Sequence, residues 1–318
     1  MYVAMNRFWV WTEMSFTLAV VLTSAIDNGK MNGSLEPYPD WDMQNSNHCS
    51  SFQSVQSMEI DLAGRMWLLD SGLYNRVQCS ASLMILDLED GGRLLTNYTF
   101  PAAVASPGKA KLDDMVLDHE DGGFAYIIDN YESSLIVFSL RDFTSWKIEK
   151  SYVDVLALSP ASRKGHRVLY YVSLFEDKLL EVPTHVLKTG KVRGHISQVA
   201  KELAVMAHTT TPIWTGMTMS NTGSMFLTAQ NRSIYELKSN IVLGDSGVSW
   251  SFASQQKYEW TKNFRHSLRS PTFDEKSNLW FIGSMFSGNL ASVPLDVKMK
   301  NYQYYENGTA PKLPFIAD

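Results

Sequence analysis

Six short apolar stretches recur along this chain, each carrying an aromatic residue in the same column. They are residues 8–14 (FWVWTEM), 66–72 (MWLLDSG), 125–131 (AYIIDNY), 169–175 (LYYVSLF), 225–231 (MFLTAQN) and 279–285 (LWFIGSM). The shared column holds Trp9, Trp67, Tyr126, Tyr170, Phe226 and Trp280, spaced 44 to 59 residues apart. Most copies run from apolar residues into a polar or glycine end, the pattern of a buried β-strand meeting an exposed turn. Further strand-like segments follow each copy. After Trp67 come residues 83–88, an Asp90-Gly91-Gly92 turn and residues 94–100. A strand-built repeat of this length predicts a radial all-β array, here a six-bladed β-propeller with the aromatic strand innermost in each blade. The alternative is a β-sandwich whose apolar strands share the spacing by chance.

The repeats run from Trp9 to Trp280 without a Pro/Ser-rich linker, so residues 1–318 are expected to form one domain, with 306–318 as a C-terminal tail. The N-terminus has two readings. Residues 8–14 fit the blade register. Alternatively Arg7, the apolar run 16–22 and Thr23-Ser24-Ala25 make residues 1–25 a leader peptide cleaved after Ala25. No other segment approaches 18 uninterrupted apolar residues, so no membrane span is expected. A net charge of −5 without a Lys/Arg block argues against a nucleic-acid partner. The two cysteines, Cys49 and Cys79, flank the Trp67 strand; they are either free thiols or a bridge. Four N-x-S/T sequons, at Asn32, Asn97, Asn231 and Asn307, lie in turn-like contexts and suit surface glycosylation. Together with the even cysteine count they favour an oxidising compartment, secretion and a Cys49–Cys79 bridge. There is no C-x-x-C pair, and neither a metal nor a cofactor is implied.

Several motifs resemble the yellow / major royal jelly protein family of insects. They are Pro37-Tyr38-Pro39-Asp40-Trp41, Cys49-Ser50-Ser51, the D-x-x-x-R-M-W-L-L-D-S-G run from Asp61 to Gly72, and Gln78-Cys79-Ser80. Asp121-Gly122-Gly123 before Ala125-Tyr126-Ile127, and Leu156-Ala157-Leu158-Ser159-Pro160, match as well. The resemblance implies a secreted six-bladed propeller with Cys49 and Cys79 bridged. Three departures stand out. Family members carry further chain before the strand matching residues 8–14, so an incomplete first or last blade with an exposed edge is expected. An insertion before the Leu-Ala-Leu-Ser-Pro step is missing, which shortens that repeat. A later family disulfide has no cysteines to form it.

Polar residues that end the inner strands of a propeller face its axial funnel. Here these ends include Glu13, Asp70, Asp129 with Asn130, and Ser284, beside Tyr131, Phe175 and Phe286. Carboxylates beside aromatic rings suit an aromatic amine, the acids countering its charge and the rings stacking on its body. The bland alternative is that Asp70, Asp129 and Glu13 only satisfy backbone groups. In amine-binding salivary members that the chain resembles, an Asn-x-Phe step touches the ligand. Phe286 is kept here and Ser284 replaces the Asn, with fewer hydrogen bonds to offer. The expected partner is a small aromatic amine or catechol-derived ligand, with a role in pigmentation, cuticle or secretion; the sequence sets no oligomeric state. Two rivals stand beside this. One is a dopachrome (aminochrome) tautomerase with Glu13 or Asp129 as general base. The other is a structural protein of cuticle, eggshell or secretion without a small ligand. A calcium lactonase-type site from Glu13, Asp129 and Asn130 is a weaker fit. The seven histidines are scattered, and His119 sits in a turn read as solvated.

Overall fold

The computed structural model describes residues 1–5, 7, 15–22, 26–27, 30–31, 34–74, 77–149, 151–162, 165–173, 178–192, 194–205, 213–220, 223–230, 233–239, 242–244, 247–249, 252–259, 268–273, 279–283 and 290–293. They form two compact units, each built of antiparallel sheets.

In the first unit, β1 (Tyr2–Ala4), β2 (Leu18–Val20) and β3 (Glu36–Pro37) make a small sheet in the order β1-β2-β3. Next comes a four-stranded meander: β4 (Val55–Ile60), β5 (Arg65–Asp70), β6 (Ser82–Asp87) and β7 (Arg93–Thr99). A second meander follows: β8 (Leu112–Asp118), β9 (Phe124–Asp129), β10 (Ser134–Ser139) and β11 (Thr144–Ile148).

The second unit repeats the plan. One meander runs through β12 (Val155–Leu158), β13 (Val168–Ser173), β14 (Lys178–Pro183) and β15 (Lys201–Val205). Another runs through β16 (Trp214–Met219), β17 (Met225–Ala229), β18 (Ser233–Ser239) and β19 (Phe252–Glu259). The last sheet has β20 (Leu268–Phe273), β21 (Leu279–Gly283) and β22 (Leu290–Val293). Chain order is spatial order in all five of these sheets, except that two-stranded ribbons interrupt two of them: Leu73–Tyr74 with Val77–Gln78 between β5 and β6, and Val242–Gly244 with Gly247–Ser249 between β18 and β19. Successive antiparallel meanders of this kind are propeller blades, and the fold is an all-β propeller.

Two expectations are corrected. The described residues form five blade sheets, not six; residues 8–14, with Trp9, lie outside the described residues. The aromatic column also falls on the second strand of each sheet and not on the innermost. Trp67 pairs across to Glu59 on one side and Ile85 on the other, and Tyr126 likewise to Val116 and Val137. Neighbouring sheets meet chiefly through their first strands, β4 beside β8, β12 beside β16, and β16 beside β20, with a lesser approach of β17 to β20 and of β5 to β8. The reason is physical. A second strand is covered on both faces and paired on both edges, so it carries the longest apolar run. Every residue of β5 and of β9 is buried, whereas β4 is half-buried after its first residue.

Alternation along β5 decides what each face touches. Met66 and Leu68 join Leu18, Phe52, Val55, Met84 and Leu86 in a core beneath the N-terminal sheet. Trp67 points the other way, edge-on to Phe138 of β10 at 6.3 Å between ring centroids. Arg7 ties the N-terminal segment down. Its guanidinium donates to the carbonyls of Ser15, Gln44, Phe52 and Gln53 and lies 4.8 Å from the centroid of the Tyr74 ring. The run also read as a leader core contains β2, whose Leu18 and Ala19 have no exposed surface.

Candidate functional site

Each of the first two blades holds an aspartate at the end of its first strand or in the turn after it, and another at the end of its second strand. The first kind serves the aromatic column. Asp61 accepts from the Trp67 indole N–H at 2.8 Å and from Arg65 Nε at 2.6 Å, while its other oxygen accepts from the amides of Ala63 and Arg65. Asp118 takes the Tyr126 hydroxyl at 3.3 Å and the Glu120 amide at 3.1 Å. A buried indole or phenol needs a partner, and the turn aspartate supplies it.

The second kind comprises two of the residues that the sequence singles out. Asp70, 1% exposed, accepts backbone N–H groups from Gln53 at 2.7 Å, Ser54 at 3.1 Å and Gly72 at 2.8 Å. Burial pushes its pKa up, while those amides and the charge of Arg7 pull the other way. Asp129, with no exposed surface, accepts through Oδ1 from the amides of Lys111 at 3.0 Å, Tyr131 at 3.0 Å and Glu132 at 3.4 Å. Its Oδ2 is enclosed without a hydrogen-bond partner. Burial raises its pKa against the three amides, and the Glu132 carboxylate adds to the rise. Both aspartates clamp the backbone that leads into a first strand to the end of the second. They hold equivalent places in successive sheets and share no hydrogen-bond partner.

Asn130 lies at a more accessible point. Its side-chain amide donates to Asp113 Oδ2, and the same oxygen takes the Lys111 ammonium at 2.9 Å. Next to it Tyr131 is 60% exposed. Asp114, one residue on from Asp113, accepts from the Met115 amide at 2.9 Å and faces the Ser57 hydroxyl of β4 at 3.5 Å. The Asp114 side chain keeps some exposure, but burial of its carboxyl, with the nearby charge of Asp113, pushes its pKa up to about 7. Carboxylates, an amide and an ammonium thus meet where β8 and β9 adjoin the β8–β4 seam, and the exposed Tyr131 follows Asn130 in the chain. The structure brings Asp129 and Asn130 into this group and leaves Asp70 on the neighbouring sheet. Glu13, Ser284 and Phe286 lie outside the described residues. Among the described residues no three His, Cys, Asp or Glu side chains converge as metal ligands.

Lys111, Asp113, Asp114 and Ser57 escape the repeat analysis because it follows the aromatic strand. The signal that marks three of them is the Lys-x-Asp-Asp opening of the strand before it.

Cys49 and Cys79 are bonded, with Cα atoms 5.5 Å apart. Asn97 is exposed on β7, the last strand of its sheet; Asn32, Asn231 and Asn307 lie outside the described residues. No helix among the described residues is long and apolar enough to cross a membrane.

An all-β propeller with a bridged cysteine pair and polar strand ends is the class these features define. The sequence matches the family described as major royal jelly protein over residues 53–159 and 153–310. The chain belongs to that family. Major royal jelly protein 1 of Apis mellifera is 30% identical over 206 residues, covering 55% of this chain and 46% of the relative. Major royal jelly protein 6 of Apis mellifera is 35% identical over 163 residues, covering 49% and 37%. The chain thus matches less than half the length of these relatives. Virginiamycin B lyase from Staphylococcus aureus is similar in structure at 12% identity and a TM-score of 0.44, over 77% of this chain and 71% of that one.

Proposed function

We propose that this is a secreted protein of the yellow type that binds a small aromatic amine or catechol-derived ligand at the polar strand ends, with a role in pigmentation, cuticle or secretion. The observation that carries it is the Asp113–Asp114 carboxylate pair at the β8 strand end, Asp113 held by Lys111 and Asn130 and Asp114 facing Ser57, with the exposed Tyr131 next to Asn130 in the chain. A carboxylate not taken up by Lys111 can counter the charge of an amine, and the phenol ring can stack on its body, which is the chemistry an aromatic amine needs. Asp129 belongs to the site through its proximity to Asn130. Asp70 serves it by fixing the neighbouring backbone. The sequence assigns Phe286, Ser284 and Glu13 to the ligand as well. The disulfide and the family support secretion, and the exposure of Asn97 supports its glycosylation, with Asn32, Asn231 and Asn307 as further acceptors. We also propose that the repeats make the chain one domain.

Calorimetry with tyramine, dopamine and serotonin tests the ligand class. Saturable binding without turnover is expected, and Phe286→Ala should weaken it by about 1–3 kcal/mol. An unchanged affinity in that variant would place the ligand elsewhere. A second reading, aminochrome tautomerase, draws on Asp114, which can take up and return a proton near neutral pH. It predicts that the protein speeds dopachrome decay, and that Asp114→Asn abolishes the effect. Neither binding nor turnover would leave a structural role.

A further inference from the structure

Of the four aspartates around the β8–β9 strand end and its neighbour, three are committed. Asp70 spends both oxygens on backbone amides. Asp129 has no exposed surface. Asp113 holds the Lys111 ammonium and the Asn130 amide. Asp114 differs. It accepts one amide and faces one hydroxyl, no cation among the described residues pairs with it, and it keeps some exposure. It also stands at a seam between two first strands, the edge that the meander leaves open.

We propose that Asp114 and Ser57, facing each other across the β8–β4 seam, form the contact that takes the ammonium group of an aromatic amine ligand. This rests on the amine-binding reading above and names the counter-ion within it. The Asp114 carboxylate accepts from the ammonium, and the Ser57 hydroxyl, now 3.5 Å away, turns its oxygen toward the same group. The charged group against Asp114 is Asp113 with its Lys111; Asp129 and Glu132 lie on the paired strand and in the turn after it, and Glu59 lies two residues along β4 from Ser57. Cation binding requires the ionised carboxylate, so the ligand and a proton compete for Asp114.

The test is calorimetry on the full chain with tyramine at pH 6, 7 and 8, with 4-ethylphenol as the same ring lacking the ammonium. Tyramine affinity should rise about 10-fold from pH 6 to pH 8, following ionisation of a group that titrates near 7. Ethylphenol affinity should stay flat. Asp114→Asn should bind tyramine more weakly and without pH dependence, and Asp114→Glu should restore the dependence. An Asp114→Asn protein that keeps the wild-type pH profile overturns the assignment. Should that variant not fold, titrating the wild type at pH 7 in two buffers of different ionisation enthalpy decides. Release of about half a proton per tyramine supports the assignment, and none refutes it. Failure of the wild type to bind tyramine at any pH sinks the amine-binding reading and this one with it. pH-independent binding sinks only the role of Asp114.

Discussion

Asp61 carries more of the first blade than its single motif position suggests. It is 2% exposed and closes a buried ion pair with Arg65 Nη2 at 2.6 Å, while holding the Trp67 indole. Asp61→Ala would leave the guanidinium buried and uncompensated, which costs about 3–5 kcal/mol. Denaturant unfolding should show that loss, with Asp61→Asn milder because it can still accept the indole N–H. Asp114 works in the opposite sense. Its folded pKa lies above its unfolded one, so the folded state binds more protons between about pH 4 and pH 7. Asp114 therefore costs stability progressively as pH rises through that window. Asp114→Asn should be no more stable than wild type at pH 4 and more stable at pH 8. The linkage sets at most about 4 kcal/mol, and solvent screening of this partly exposed group brings it to the order of 1–2 kcal/mol. Equal stabilities of the two proteins at pH 8 would show that the carboxyl is not held at this cost.

The segment after β5 depends on a bond and a glycine acting together. Gly72 has φ +71°, and a Cβ there would stand 2.3 Å from the Cys79 carbonyl oxygen. The Cys79 amide donates to the Gly72 carbonyl at 2.9 Å, so the bridged cysteine is pressed against the strand end. Gly72→Ala should thus destabilise by about 1–3 kcal/mol through strain and displaced backbone. Replacing both cysteines by serine should cost roughly 3–4 kcal/mol, the loop-closure entropy of a 30-residue separation in the unfolded chain. Thermal or denaturant unfolding of the oxidised and reduced wild type measures the same quantity without a mutation. A difference near zero would mean that the contacts around Gly72 hold this loop without the bond.

For the whole molecule, the outer strands decide how the protein meets its surroundings. β7 is the last strand of its sheet, paired on one edge only among the described residues, and Arg93, Leu94, Asn97 and Thr99 on it are exposed. Such an edge invites pairing with another chain. A glycan on Asn97 would block that approach. Expression in a eukaryotic secretory host should give a protein whose mass falls on glycosidase treatment, and Asn97→Gln should remove one step of that fall. Unchanged glycosylation in the variant would confine the modification to the other sequons. The glycan-free protein is expected to self-associate more readily, which light scattering would detect.

Much of this architecture was legible in the chain as written. The aromatic column found strands that the structure places at matching positions in five sheets, because burial on both faces selects a dense apolar run wherever a strand lies mid-sheet. The same rule explains what the pattern misplaced. Hydrophobic periodicity measures burial and not rank within a sheet, so the half-buried strand with Ser57 and the half-buried opening of β8, with Asp113 and Asp114, stayed quiet in the sequence. The strand-end aspartates were visible, but their work was not. Asp70 and Asp129 bind backbone amides, which nearly every residue offers, so no side-chain motif announces the partner. The sequence by itself determined the class of sheet and which residues fill it. Only tertiary packing decided which carboxylates are spent on the backbone and which one is left at the open seam.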